Sequence, residues 1–109
     1  MDIINLTPHD INIISDNTIR TITKSGKIAR IDSRSVLLMH VDNIPVNKTV
    51  FGDIIDLPDP KPDTIYLVSA MVLDKVVNRS DVFSSDTGPD SVVRNDLGNI
   101  SGVKFLRTV

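Results

Sequence analysis

The sequence predicts a strand-rich α+β domain, a small β-barrel or sandwich that carries one short helix. Three observations predict it. Short runs of Ile, Val and Leu recur along the chain, and pairs of Asn, Asp, Ser or Gly separate them, which is the pattern of strands joined by tight turns. Only residues 69–78 place apolar side chains at helical spacing. The chain has no Trp, one Tyr and three Phe, so its core must be built from the β-branched and aliphatic side chains that strands favour. With 109 residues it is long enough for one core and too short for two, which makes residues 1–109 a single domain.

Each element follows from its residues. Residues 3–6 form a first strand that stops at Thr7-Pro8-His9-Asp10, because Pro8 has no amide hydrogen to give a ladder. Residues 11–14 and 18–23 flank the turn pair Asp16-Asn17, and residues 28–31 follow Ser25-Gly26. Residues 36–41 and 46–51 flank Asp42-Asn43, a hairpin turn whose residues tolerate positive φ, while Pro45 predicts a late start or an edge position for the second strand. Pro58, Pro60 and Pro62 alternate through residues 57–63 and forbid a helix there. That stretch reads as a long loop inside one domain. Residues 64–68 form a strand, and residues 69–78 the helix, with Ser69 as its cap and Val72, Leu73, Val76 and Val77 on one face. Its β-branched valines leave a continuous strand as the rival. Residues 84–89 form a loop, and residues 92–94 and 100–106 a closing hairpin through Asn95-Asp96-Leu97-Gly98.

Composition excludes several kinds of protein. The net charge is −2, with both signs scattered, so there is no basic footprint of a DNA or RNA binder. With no Cys, disulfides, thiolate nucleophiles and cysteine-based metal sites are ruled out. No apolar run approaches the ~20 residues of a membrane span. The N-terminus has neither a charged n-region nor an h-region, so an intracellular protein is expected.

Polar side chains beside turn residues concentrate between Ser69 and Arg94. A helix start at Ser69 presents free amides to an anion. Arg79 and Arg94 offer bidentate contacts to phosphate or carboxylate, and Asp86-Thr87-Gly88-Pro89 adds a hydroxyl and amides. Asp81 stands in the same stretch. The commoner reading of such residues is a solvated loop that caps its own backbone, with Arg79 paired to Asp81 or Asp86. His9 is a candidate base, but Asp10 is a poor orienter for it, since neighbours on a strand face opposite ways. No metal site is expected, because His9 and His40 are the only histidines and no calcium-loop spacing is present. No glycine-rich phosphate loop or nucleophile elbow occurs either. No catalytic residue and no cofactor are therefore assigned.

Several blocks recur together: Asn5-Leu6-Thr7-Pro8-His9, Ser25-Gly26 with Ala29-Arg30, Phe51-Gly52 with Leu57-Pro58-Asp59-Pro60, Ile65-Tyr66-Leu67-Val68-Ser69, Arg79-Ser80-Asp81-Val82, and Asp86-Thr87-Gly88-Pro89 ending in Val93-Arg94. On these the chain resembles, over nearly its whole length, a group of small proteins encoded in phages, prophages and some bacterial genomes. Ser85 departs from that pattern, which has proline there. The resemblance implies a bacterial host cytoplasm as the setting and Thr7, His9, Ser69, Arg79, Asp81, Thr87 and Arg94 as shared polar positions. Among the roles of small phage proteins is anti-defence capture, in which a "sponge" sequesters a cyclic nucleotide or cyclic ADP-ribose signal of host immunity. On that expectation Arg79, Arg94, Ser69, Thr87 and Asp81 would surround an anionic, nucleotide-like ligand. Tyr66 or Phe83 would stack on its base, with His9 at the rim. A homo-oligomer is expected, since so small a protomer has little room for an enclosing pocket. A small hydrolase or lyase using His9 with Asp81 or Asp86, and a structural or host-protein-binding protein, are the alternatives.

Overall fold

Turn chemistry divides the chain into ten strands and one helix, described over residues 1–109 in a computed structural model. The first third gives β1 (Asp2–Asn5), β2 (Ile11–Ser15) and β3 (Thr18–Ile22), with Asp16 at φ 47° in the β2–β3 turn. Two long strands follow, β4 (Arg30–Val41) and β5 (Ile44–Ile55), joined by Asp42 and Asn43 at φ 50° and 63°. Positive φ at both central residues is the two-residue hairpin geometry that matches strand twist. The rest comprises β6 (Thr64–Leu67), α1 (Ala70–Lys75), β7 (Val82–Ser85), β8 (Val92–Arg94), β9 (Ile100–Val103) and β10 (Leu106–Arg107).

The strands form two four-stranded sheets and a separate hairpin. One sheet has the order β1-β6-β7-β10, the other β3-β2-β9-β8, and β4 pairs with β5 alone. The sheets do not close into a barrel, so the arrangement is sandwich-like and the barrel alternative falls away. β6 lies between two parallel neighbours, β1 and β7, and buries Tyr66 and Leu67 completely on its two faces. The core gathers Leu6, Ala29, Tyr66, Val68, Val72, Leu73, Val76 and Val82, with Ile31 and Ile54 from the base of the hairpin packed against it. No helix is long and apolar enough to cross a membrane.

Several sequence expectations shift. Residues 28–31 and 36–41 do not form two strands. A single twelve-residue β4 runs through Asp32-Ser33-Arg34-Ser35 instead. Pro45 does not delay β5, because both strands of a lone hairpin are edges and Pro45 turns its missing donor outward, opposite His40. The helix covers six residues rather than ten. Ser69 caps it as expected, its hydroxyl accepting the Val72 amide at 3.3 Å. Val76 then returns to extended backbone at φ −73°, ψ 136°, where consecutive valines favour strand geometry. Ser84 and Ser85, expected at the start of a loop, instead complete β7, an inner strand of the first sheet that begins at Val82. The closing hairpin ends at Val103, and the chain bends into the first sheet as β10. Ser91 holds that bend, its Oγ accepting the amides of Lys104 at 3.2 Å and Phe105 at 3.1 Å.

Candidate functional site

The bend at Ser91 and the β1–β2 loop bring the two sheets together around a cleft of about 520 Å³. That volume lies within the ~300–1,000 Å³ typical of small-molecule sites. Its apolar lining is Ile11, Val68, Ala70, Ile100 and Val103, and its polar lining includes Asn12, Ser69, Ser84, Ser85, Thr87 and Ser101.

One wall is the Thr7-Pro8-His9-Asp10 loop, which buried hydrogen bonds fix from below. Asn5 is 1% exposed, and its amide donates to the carbonyls of His9 at 2.8 Å and Ile22 at 3.0 Å. Its Oδ1 accepts the Thr7 amide at 2.9 Å. The Thr7 hydroxyl lies 2.7 Å from Asn5 Oδ1 and 2.9 Å from the His9 carbonyl, so one proton is shared between two acceptors. Asp10 accepts the Lys24 amide at 2.8 Å. Asn5 and Thr7 are thus framework, and they present Pro8, His9 and Asp10 to the cleft. The opposite wall is the start of α1 with the end of β7. There Asp86 Oδ1 accepts the Gly88 amide at 2.8 Å, a local turn that sets the position of Thr87.

Within the second sheet, the backbone of β9 lies close to that of β2. A Cβ added to Gly102 would stand 2.6 Å from the Asn12 carbonyl oxygen and 2.9 Å from Ile14 Cδ1. Only a residue without a side chain lets β9 lie this near β2 while lining the cleft.

Of the residues singled out from sequence, His9, Ser69 and Thr87 meet at this cleft, and Thr7 lines it as well. The expected convergence of two arginines does not occur. Arg79 donates from Nε to Asp81 Oδ1 at 2.8 Å, from Nη2 to Asp81 Oδ2 at 3.0 Å, and from Nη2 to the Pro58 carbonyl at 2.9 Å. This bidentate pair anchors the proline loop to the first sheet. Its hydrogen bonds raise the guanidinium's pKa and hold the Asp81 carboxyl below its ordinary range. Arg94 donates instead to the Gly98 carbonyl at 2.8 Å, closing the β8–β9 turn. Tyr66 offers no stacking face: it is fully buried, and its hydroxyl donates to the Asp59 carbonyl at 3.2 Å. Phe83 is half-buried and is not among the residues that line the cleft.

Ser84 belongs to the polar stretch between Ser69 and Arg94, whereas sequence reasoning passed over Ser101, Gly102, Asn12 and Arg107. Arg107 donates to Ser84 Oγ at 3.3 Å and to Asp74 Oδ1 at 3.0 Å, which ties its guanidinium to a lining residue. One signal was available, since Ser-Gly inside an apolar strand marks a close backbone approach. Nothing local marks Arg107, because its place depends on β10 joining the other sheet. Groups of three or more carboxylates or imidazoles do not gather anywhere in the fold. No family model, curated protein or solved structure matches this chain.

Proposed function

We propose that this protein captures a small, nucleotide-derived molecule in the inter-sheet cleft and holds it without turnover. One observation carries the reading: hydroxyl and amide side chains from both sheets converge on one cleft with apolar walls. Ser69, Thr87, Ser101 and Asn12 match the donors and acceptors of ribose hydroxyls and phosphate oxygens. Ile11 and Ile100, over the buried Val68 and Val103, offer a flat base an apolar wall. Arg107 reaches the lining only through Ser84 and is paired with Asp74, so the hydroxyl and amide groups rather than a free cation would hold the ligand.

Binding is favoured over hydrolysis by what the carboxylates do. Asp10 accepts the Lys24 amide, Asp81 is engaged by Arg79, and Asp86 accepts the Gly88 amide. None of them orients His9, and a histidine base needs an orienting partner to hold its tautomer. The setting comes from the sequence resemblance: a phage or prophage product in the bacterial host cytoplasm, removing an immune signal from solution.

Calorimetry against linear and cyclic nucleotides and cyclic ADP-ribose isomers tests this. A ligand should bind, return chemically unchanged after heat release, and bind at least tenfold more weakly to Thr87→Ala or Ser101→Ala. A panel without binding, or a returned product that differs from the input, refutes the reading.

A further inference from the structure

The β4–β5 hairpin is packed against the core only at its base, through Ile31 and Ile54, and its outer part is an arm with Val36, Leu37, Leu38, Met39, Val41 and Ile44 exposed. The whole chain has an accessible surface of 7765 Å², where a monomer of this mass exposes roughly 6,000 Å². The radius of gyration is 17.0 Å, against about 13 Å for a compact domain of this length. A lone two-stranded ribbon is marginal in water, yet this one extends twelve residues on each strand.

Its register sorts the side chains into two unlike faces. Val36 lies opposite Lys48, Met39 opposite Val46, and Val41 opposite Ile44. The register shifts between Leu37 and Met39, leaving Leu38 as a bulged residue. That extra residue re-phases β4, so Met39 and Val41 join Val36 on the face that carries Ile44, Val46 and Val50. Without the bulge they would point the other way. The opposite face carries Ser33, Ser35, His40, Asn47 and Thr49, with Leu37, Pro45 and Phe51 among them, so its apolar side chains are interspersed with polar ones rather than contiguous. On the apolar face Val36, Met39, Val41 and Ile44 are 41–62% exposed.

We propose that this apolar face packs against the same face of a second copy, antiparallel, about a two-fold axis near Met39. Area and charge both favour that occupant. The face offers on the order of 500 Å² of apolar surface, and the stems of Arg34 and Lys48 extend it toward the ~800 Å² each partner brings to a standard interface. Arg34 and Lys48 sit at the inboard end of this face and Asp42 at its tip, and none of the three pairs within the chain. An antiparallel second arm brings each Asp42 to the other's Arg34 and Lys48, so the face complements itself as an isologous interface requires. Edge-to-edge pairing is blocked, because Pro45 removes a donor from the outer edge of β5 and the bulge interrupts β4.

Analytical ultracentrifugation and native mass spectrometry of the whole protein test this. The wild type should sediment as a dimer. Ile44→Lys alters both halves of the interface and should raise the dissociation constant at least about 100-fold, with circular dichroism unchanged. Asp42→Lys should weaken the dimer, and adding Arg34→Asp with Lys48→Asp should restore it. The chain has no cysteine, so Met39→Cys supplies a unique thiol beside the axis. It should oxidise to a disulfide dimer much faster than Asp96→Cys on the distant β8–β9 turn. A monomeric or trimeric wild type, a dimer indifferent to Ile44→Lys, or equal cross-linking at positions 39 and 96 overturns the proposal. None of these outcomes depends on ligand capture in the cleft.

Discussion

Replacing Asp81 with Ala tests whether the Arg79–Asp81 pair is a structural clamp. The two side chains are 17% and 16% exposed, so water can replace only part of what is lost. The substitution removes two charge-assisted hydrogen bonds, at 2.8 and 3.0 Å, and leaves the guanidinium with the Pro58 carbonyl alone. Hydrogen bonds to charged groups contribute ~1.5–3 kcal/mol each, and stranding a buried charge costs ~3–5 kcal/mol when no water reaches it. The partial exposure lowers the expected loss to about 2–3 kcal/mol. For a domain of this length that corresponds to roughly 10 °C in Tm. Urea denaturation followed by circular dichroism measures it. Arg79→Lys should lose less, about 1 kcal/mol, because an ammonium keeps the charge but not the fork that meets both carboxylate oxygens. A cleft ligand should bind both variants as it binds the wild type. Unchanged stability in Asp81→Ala, or lost ligand affinity in a folded Arg79→Lys protein, would refute the clamp.

The same pair sets an acid response. The Arg79 hydrogen bond holds the Asp81 carboxyl below its ordinary value, so its stabilisation is fully present above the unfolded carboxyl value of about 3.9 and fades as pH falls through the lower folded value. The stability gap between wild type and Asp81→Asn should therefore narrow below about pH 4 in denaturation curves taken across acid pH. Gly102→Ala should destabilise by about 1–3 kcal/mol, since the new Cβ must clear a carbonyl oxygen 2.6 Å away. Thermal unfolding equal to wild type would show that β2 and β9 do not need that approach. Asn5→Ala strips the partners from the buried Thr7 amide and Ile22 carbonyl. A loss of about 2–4 kcal/mol is expected, with faster amide exchange across residues 7–10.

Much of the local structure was legible because it depends on neighbours in sequence. Asp42-Asn43 must take positive φ to join two apolar runs, and it does. Ser69 caps a helix because its hydroxyl reaches an amide three residues on. The Arg79–Asp81 pair was visible as the plainer alternative, since the partners stand two residues apart. β7 was missed for the opposite reason. Val82-Phe83-Ser84-Ser85 is too short and too polar to signal a strand, and what makes it one is the parallel ladder to β6. The bulge at Leu38 was equally hidden, because register depends on the facing strand.

The candidate site divides along the same line. His9, Ser69 and Thr87 could be selected as polar residues near turns, and they do share a cleft. Arg94 was selected on the same grounds and closes a hairpin turn instead. The sequence by itself determined the strand-rich α+β class, the Asp42-Asn43 turn, the Ser69 helix cap and the absence of any cysteine chemistry. Tertiary structure alone decided which polar groups face one another, because the cleft is built from β2, β7 and β9, strands far apart in the chain. It also decided that Arg107 reaches Ser84 and that the arm stays uncovered. Turn and cap preferences act over a few residues and are written locally, whereas strand pairing depends on partners that no local stretch specifies.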